Sequence, residues 1–234
     1  MNIFEPLTLT AGSHKAGSGK GCAMNVISWE NGDTKITDYP ACSDQTLARI
    51  VQQVNDSLAG AGGVLSPANS LIALDLGHAT VGTTGHGLTE LQLRQVYTRC
   101  GVLAARKVVH LDETGTALPA IVAAERWADD PTGLNAAYAV SAASAVSAAS
   151  AATAAAYAAS AAYATYETSA AYATYAANAA YAAFAASTAA YAAKFRIDLA
   201  WEIITLFKEL TGTTSPEPEA EVVACALEKM FTRV

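Results

Sequence analysis

Residues 138–193 read YAVSAASAVSAASAATAAAYAASAAYATYETSAAYATYAANAAYAAFAASTAAYAA, an alanine-filled stretch in which a larger or more polar side chain falls at every third position. The marked positions run 138, 141, 144, 147, 150 and 153, then in threes from 157 to 187, with a step of four between Thr153 and Tyr157 and another between Ser187 and Tyr191. Alanine is the strongest helix former and a poor strand former, and neither Gly nor Pro stands between Leu134 and Thr211. Residues 135–210 are therefore predicted to be helical almost throughout, and the chain mainly α. Three residues advance a helix by about 300°, so each triplet retreats by about 60° and the marked positions wind around the cylinder without forming one stripe. Five turns, about 18 residues, restore the register. That stacks Tyr163 over Tyr181, Tyr166 over Phe184 and Tyr157 over Tyr175.

The aromatic side chains thus gather on two opposed sides, with Tyr157, Tyr163, Tyr166, Tyr172, Tyr175, Tyr181 and Phe184 as the candidate interaction surface. Glu167 is the one charged side chain in 135–193, and a helix of this kind is poorly suited to standing alone in water. Two arrangements cover it. One is a rod of about 120 Å packed against copies of itself; the other, preferred here, is a bundle of shorter helices broken near 166–169 and 187–188, where Ser and Thr can cap a new helix. A homo-oligomer is the simplest expected outcome.

Outward from the tract, an amphipathic helix is predicted around Leu199–Leu210, a linker over 212–219 and a last helix over 220–234 through Val222, Val223, Leu227 and Met230. On the other side, Thr89 and Gln92 form a capping box for a helix over 90–110, with Leu91, Leu93, Val96, Val102, Leu103 and Val108 as core. A helix over 117–128 follows, and its Trp127 is expected to pack with Leu103. Residues 88–211 are read as one helical domain containing the alanine tract, and residues 1–87 as a small N-terminal helical domain. In the latter, PLTLTA at 6–11 suggests a short strand and GSHKAGSGKG at 12–21 a glycine-rich loop; a helix over 22–29 comes next. Ser43 is the expected N-cap of a helix stopped by Gly60, with Asp44 in its first turn; Ser66-Pro67 opens another.

Composition narrows the function. The chain has 234 residues and a net charge of −7, and no run of Lys or Arg forms a stripe that would track phosphates, so nucleic acid is not an expected partner. The tract is interrupted too often by Ser, Thr, Asn and Tyr to span a membrane. MNIFEPLTLTAG lacks the basic and apolar regions of a secretory signal, and Cys22, Cys42, Cys100 and Cys225 are scattered without a CxxC motif. A soluble cytoplasmic protein with reduced thiols is the expectation.

Three constellations bear on chemistry. The loop at 12–21 lies between a predicted strand and a helix, as a P-loop does, but alignment on Gly19-Lys20 puts His14 where the first glycine belongs and Gly21 where Ser or Thr should bind magnesium. His14, Cys22, Asp38 and Cys42 are acceptable zinc-ligand types at a spacing unlike that of common zinc modules; packing and loop hydrogen bonds are the favoured role for them. Asp75 with His78, and His110 with Asp112 or Glu113, are candidate acid–base pairs lacking a neighbouring nucleophile motif. No cofactor, metal or catalytic residue is expected.

Cys100, Ala104, Ala105, Val108 and Leu111, followed by ALPAIVAAERWADDPTG at 117–133 and the alanine tract, resemble immunity proteins found near bacterial polymorphic-toxin loci; the resemblance covers about 91–165. Gly12-Ser13-His14, Cys22, Met24, Val26, Asp38, Pro40, Cys42, Asn55 and Asp56, within 11–57, resemble an uncharacterised family of actinobacteria and their phages. Asn25 stands where that family has Glu, which weakens a catalytic-carboxylate reading. The resemblance implies a non-enzymatic binding protein of bacterial or phage conflict with a protein partner. The alternatives are a structural self-assembling protein using the Ala-Tyr tract and, with least support, a small hydrolase or nucleotide-binding enzyme using 12–42.

Overall fold

The computed structural model describes residues 7–15, 17–111, 115, 117–135, 139 and 189–231. Among these the chain is mainly α-helical: α1 (Ala23–Glu30), α2 (Gln45–Ser57), α3 (Pro67–Ala79), α4 (Glu90–Val108) with a 3₁₀ turn at Val109–Leu111, α5 (Ala117–Asp129), α6 (Ala189–Thr211) and α7 (Ala220–Phe231). Residues 136–138 and 140–188, nearly all of the Ala-Tyr tract up to 188, lie outside the described residues, and with them the choice between rod and bundle. No described helix is long and apolar enough to cross a membrane. The strand predicted over 6–11 is not formed in its described part, where extended pairing is limited to a single bridge between Thr10 and Val64. The reason is visible in the donors: Leu9 N–H goes to Ser70 Oγ (2.9 Å), Thr10 N–H to Gly21 O (2.9 Å) and Ala11 N–H to Gly63 O (2.8 Å). Three neighbouring amides find three different partners, so no ladder propagates.

The chain forms two compact units, Met1–Gly85 with Thr213–Val234, and His86–Gly212. In the first, α1 packs against α2, α3 and α7. At eight residues α1 is too short to persist alone, and burial of every residue from Ala23 to Ser28 holds it in place. Leu47, Ile50, Val51 and Val54 of α2 and Ala73, Leu74 and Leu76 of α3 complete this core, and Ala226 and Met230 of α7 are buried as well. Met230 sits so close to Gly21 that any β-carbon there would collide with its sulfur. The N-cap of α2 is Asp44, not Ser43: Asp44 Oδ1 accepts from Thr46 N–H (2.9 Å) and Leu47 N–H (3.2 Å). Ser43 is drawn away by its bridge to Val81 and by a 2.9 Å hydrogen bond from Thr80 Oγ1. Ser66 and the Thr89–Gln92 box cap α3 and α4 as their sequences predict.

In the second unit α4 packs against both α5 and α6. Its buried side is formed by Val96, Cys100, Gly101, Val102, Ala104, Ala105 and Val108. Leu91, predicted as core, is 44% exposed, and Leu103 is half-buried. Small residues let the neighbouring helices approach closely, and the longer leucines fall to the margins. Trp127 of α5 is 2% exposed, with the Arg94 guanidinium carbon 5.4 Å from its ring centroid. The C-terminal carbonyl of Ala128 accepts from Gln95 Nε2 (2.8 Å) and Arg99 Nη2 (3.1 Å), which satisfies an acceptor that the end of α5 leaves open. Leu199, Ile203, Ile204 and Phe207 supply the buried side of α6.

Candidate functional site

Two polar centres lie in the first unit. The first surrounds Asp38, which is 8% exposed. Its Oδ1 accepts from Asn25 Nδ2 (2.9 Å) and Cys22 Sγ (3.5 Å); its Oδ2 accepts from Gln52 Nε2 (3.0 Å) and from Ser13 Oγ. A buried carboxylate persists when its lone pairs are filled in this way. Asn25 serves twice, because its Oδ1 also accepts from Cys22 N–H (3.2 Å) at the start of α1. Burial, and then the neighbouring Asp38 charge, push the Cys22 thiol up to about 12, so it remains protonated at neutral pH. Below this centre, Asn55 accepts from Ala23 N–H (3.2 Å) and donates to Thr10 O (3.0 Å), while Asp56 Oδ1 accepts from Gly12 N–H (2.8 Å). Of the motif residues scattered over 11–57, Gly12, Ser13, Cys22, Asp38, Asn55 and Asp56 therefore belong to a hydrogen-bonded scaffold pinning the glycine-rich loop to α1 and α2.

The second centre is a cavity of about 300 Å³. The last turn of α1 brings Ile27 and Glu30 to it, the last turn of α3 brings His78, and Cys42 and Val81 come from the two loops joined by the Ser43–Val81 bridge. The extended segment after Gly212 covers one side with Pro216, Glu217, Pro218 and Glu219. That segment is anchored where Ser215 Oγ donates to Ala79 O (2.7 Å) and Gly82 N–H to Cys42 O (2.8 Å) secures the loop beneath. His78 Nε2 lies 2.8 Å from Glu30 Oε2, and the two side chains are only 13% and 11% exposed. Glu30 Oε1 is buried with no hydrogen-bond partner among the described residues. Burial raises the Cys42 thiol above its ordinary range, helped by the charges of Asp33 and Glu30 and opposed by a hydrogen bond with Ser43. The thiol is thereby held in its un-ionised, weakly nucleophilic form.

Gly82 makes this strap possible. Its φ is +83°, and a β-carbon would lie 2.7 Å from Thr214 O, a backbone atom that cannot swing aside. Gly82→Ala is expected to cost about 1–3 kcal/mol and to raise hydrogen exchange selectively over 213–219. Unchanged exchange in that segment, measured by mass spectrometry, would contradict the anchoring role.

The sequence-predicted candidates disperse. Cys22 and Asp38 meet, but His14 Nε2 is 2.9 Å from Thr10 Oγ1 and Cys42 faces the cavity. Among the described residues no three His, Cys, Asp or Glu side chains form a group able to hold a metal ion. The partner of His78 is Glu30, 48 positions away, and Asp75 is exposed. Asp112, Glu113, Tyr157, Tyr163, Tyr166, Tyr172, Tyr175, Tyr181 and Phe184 lie outside the described residues. Neither Glu30 nor the Pro-Glu-Pro-Glu segment belongs to a recognisable motif; the one local signal is the alternation of Pro and Glu at 216–219. Comparison with known protein families, curated proteins and solved structures finds no match for the chain.

Proposed function

We propose that this chain is a non-enzymatic binding protein, immunity-like in bacterial or phage conflict, and that its first unit recognises a protein partner. The observation that carries this reading is the 300 Å³ cavity, which offers apolar walls and carboxylates beside a thiol kept protonated. Such a recess suits binding better than nucleophilic attack. The resemblance of residues 91–165 to immunity proteins points the same way. The first unit carries eleven Asp and Glu against six Lys and Arg, which favours encounter with a basic partner. Among the described residues no disulfide joins Cys22, Cys42, Cys100 or Cys225, in keeping with the cytoplasm as the proposed location. The test is to mix the full chain with the product of the gene adjoining its own. Light scattering should show a complex with the summed mass, and co-expression should suppress any toxicity of that product. Separate elution together with unrelieved toxicity would count against the proposal.

A second reading, self-assembly through the Ala-Tyr tract, is favoured by composition: 135–193 holds a single charge and nine residues of Tyr or Phe including Tyr138 and Tyr191. Replacing Tyr163 and Tyr181 together with Lys places charge on one aromatic side, while the good helix propensity of Lys preserves the backbone. The double variant is expected to associate more weakly at unchanged helicity, by sedimentation and circular dichroism. A wild-type chain that stays monomeric at high concentration would remove this reading.

A further inference from the structure

We infer that the cavity between α1, α3 and the 213–219 strap is a binding site for an alkylammonium or alkylguanidinium group, its charged head at Glu30 and its stem along the apolar wall. The inference rests on the reading of the first unit as a binding module and names the chemistry that the recess accepts. Three carboxylates, Glu30, Glu217 and Glu219, line it, and among the described residues no Lys or Arg does. Glu217 and Glu219 are exposed and supply attraction; Glu30 is the oriented acceptor. Its Oε2 lies beside His78, while Oε1 is buried and has no donor among the described residues, an arrangement that leaves one carboxylate oxygen fixed and unsatisfied by them. A cationic N–H donor repairs that deficit by a charge-assisted hydrogen bond, whereas a second carboxylate or a purely apolar group does not.

The rest of the lining sets the stem. Ile27, Val81 and Val222, with the rings of Pro216 and Pro218, form an apolar surface beside the carboxylate. A methylene chain ending in a cation has the same two-part character. The volume lies at the lower end of the range of about 300–1,000 Å³ for small-ligand sites, which fits one side chain or one small amine better than a nucleotide or sugar polymer. His78 acts here as a positioning residue, because its bond to Oε2 fixes the carboxylate and leaves Oε1 available.

The test uses the full chain with methyl-labelled Ile and Val, titrated with pentylamine, agmatine, the peptide Gly-Arg-Gly and, as an uncharged match, pentan-1-ol. Pentylamine and agmatine are expected to shift the Ile27, Val81 and Val222 methyl signals and to bind at least tenfold more tightly than pentan-1-ol. Glu30→Gln should abolish that preference. Glu217→Gln combined with Glu219→Gln, at two exposed positions where folding is not at risk, should weaken pentylamine binding at least threefold. Competition by Gly-Arg-Gly at the same methyls would assign the site to a side chain of a partner protein; agmatine binding without peptide binding would assign it to a free amine. Equal binding of pentan-1-ol and pentylamine, or cation-induced shifts spread over the surface and indifferent to the Glu217/Glu219 double variant, would overturn the inference. A complex with a protein partner that survives such a result would leave the binding function standing without this cavity.

Discussion

Asn25→Asp is expected to destabilise the first unit by about 3–5 kcal/mol at pH 7, the range for an uncompensated buried charge. The substitution changes almost no volume, so packing is preserved and electrostatics alone is altered. Asn25 is 1% exposed, and its Nδ2 donates across 2.9 Å to Asp38 Oδ1. In the variant, two carboxyl oxygens face each other at that separation, and like charges so close cannot both ionise. The new pair therefore holds a proton in the folded state that an ordinary Asp, with a reference value of about 3.9, has released in the unfolded chain. Folded protein binds more protons than unfolded protein above that pH, so the variant's stability falls relative to wild type as pH rises and recovers as pH drops toward 4. Urea denaturation followed through Trp29, the tryptophan of the first unit, measures the difference at both pH values. A loss below about 1 kcal/mol at pH 7, or a loss independent of pH, would show that Asn25 and Asp38 are not coupled as described.

Trp127→Ala should cost the second unit about 3–5 kcal/mol. Trp127 is 2% exposed in a layer built with Ala117, Ala120, Ile121, Ala124 and Ala128, all buried on α5. Alanine-lined surroundings have few long side chains with which to fill the void, so relaxation recovers little of the lost contact. The stacked Arg94 guanidinium also loses its ring face. Trp201 belongs to the same unit and its emission follows unfolding of the variant. A change under about 1 kcal/mol would mean that the helices close over the space. The substitution should leave cation binding in the first unit unaltered, which separates a local packing loss from general unfolding.

Much of the helical framework was legible locally. Thr89 and Gln92, three apart ahead of an apolar run, announce the start of α4, and Ser66-Pro67 announces α3, because capping is satisfied within one turn. The choice between Ser43 and Asp44 was not legible in this way. Both are good N-cap residues, and a bridge to Val81 and a bond from Thr80, about forty residues distant, decide between them. PLTLTA alternates as a strand does, yet a strand needs a continuous neighbour, and here the amides of Leu9, Thr10 and Ala11 are claimed one by one.

The candidate site shows the same division more sharply. Residue types alone put Cys22 and Asp38 on a short list, and the structure joins them; they also put Cys42 and His14 there, and the structure sends each elsewhere. His78 was offered Asp75 at helical spacing, but the packing of α1 against α3 brings Glu30 to it instead. The sequence by itself determined that the described part of this chain is mainly helical, where several of its caps fall, that its net charge is acidic and that its alanine tract carries a single charge, since propensity, capping and charge act over a few residues. Only the tertiary structure decided that the last segment returns to cover the end of α1, that Asp38 is saturated by donors from three separate segments, and that Glu30 keeps one buried oxygen unpaired among the described residues. Those outcomes depend on which surfaces are excluded from water together, and pairing over tens of residues leaves no periodic trace in the chain.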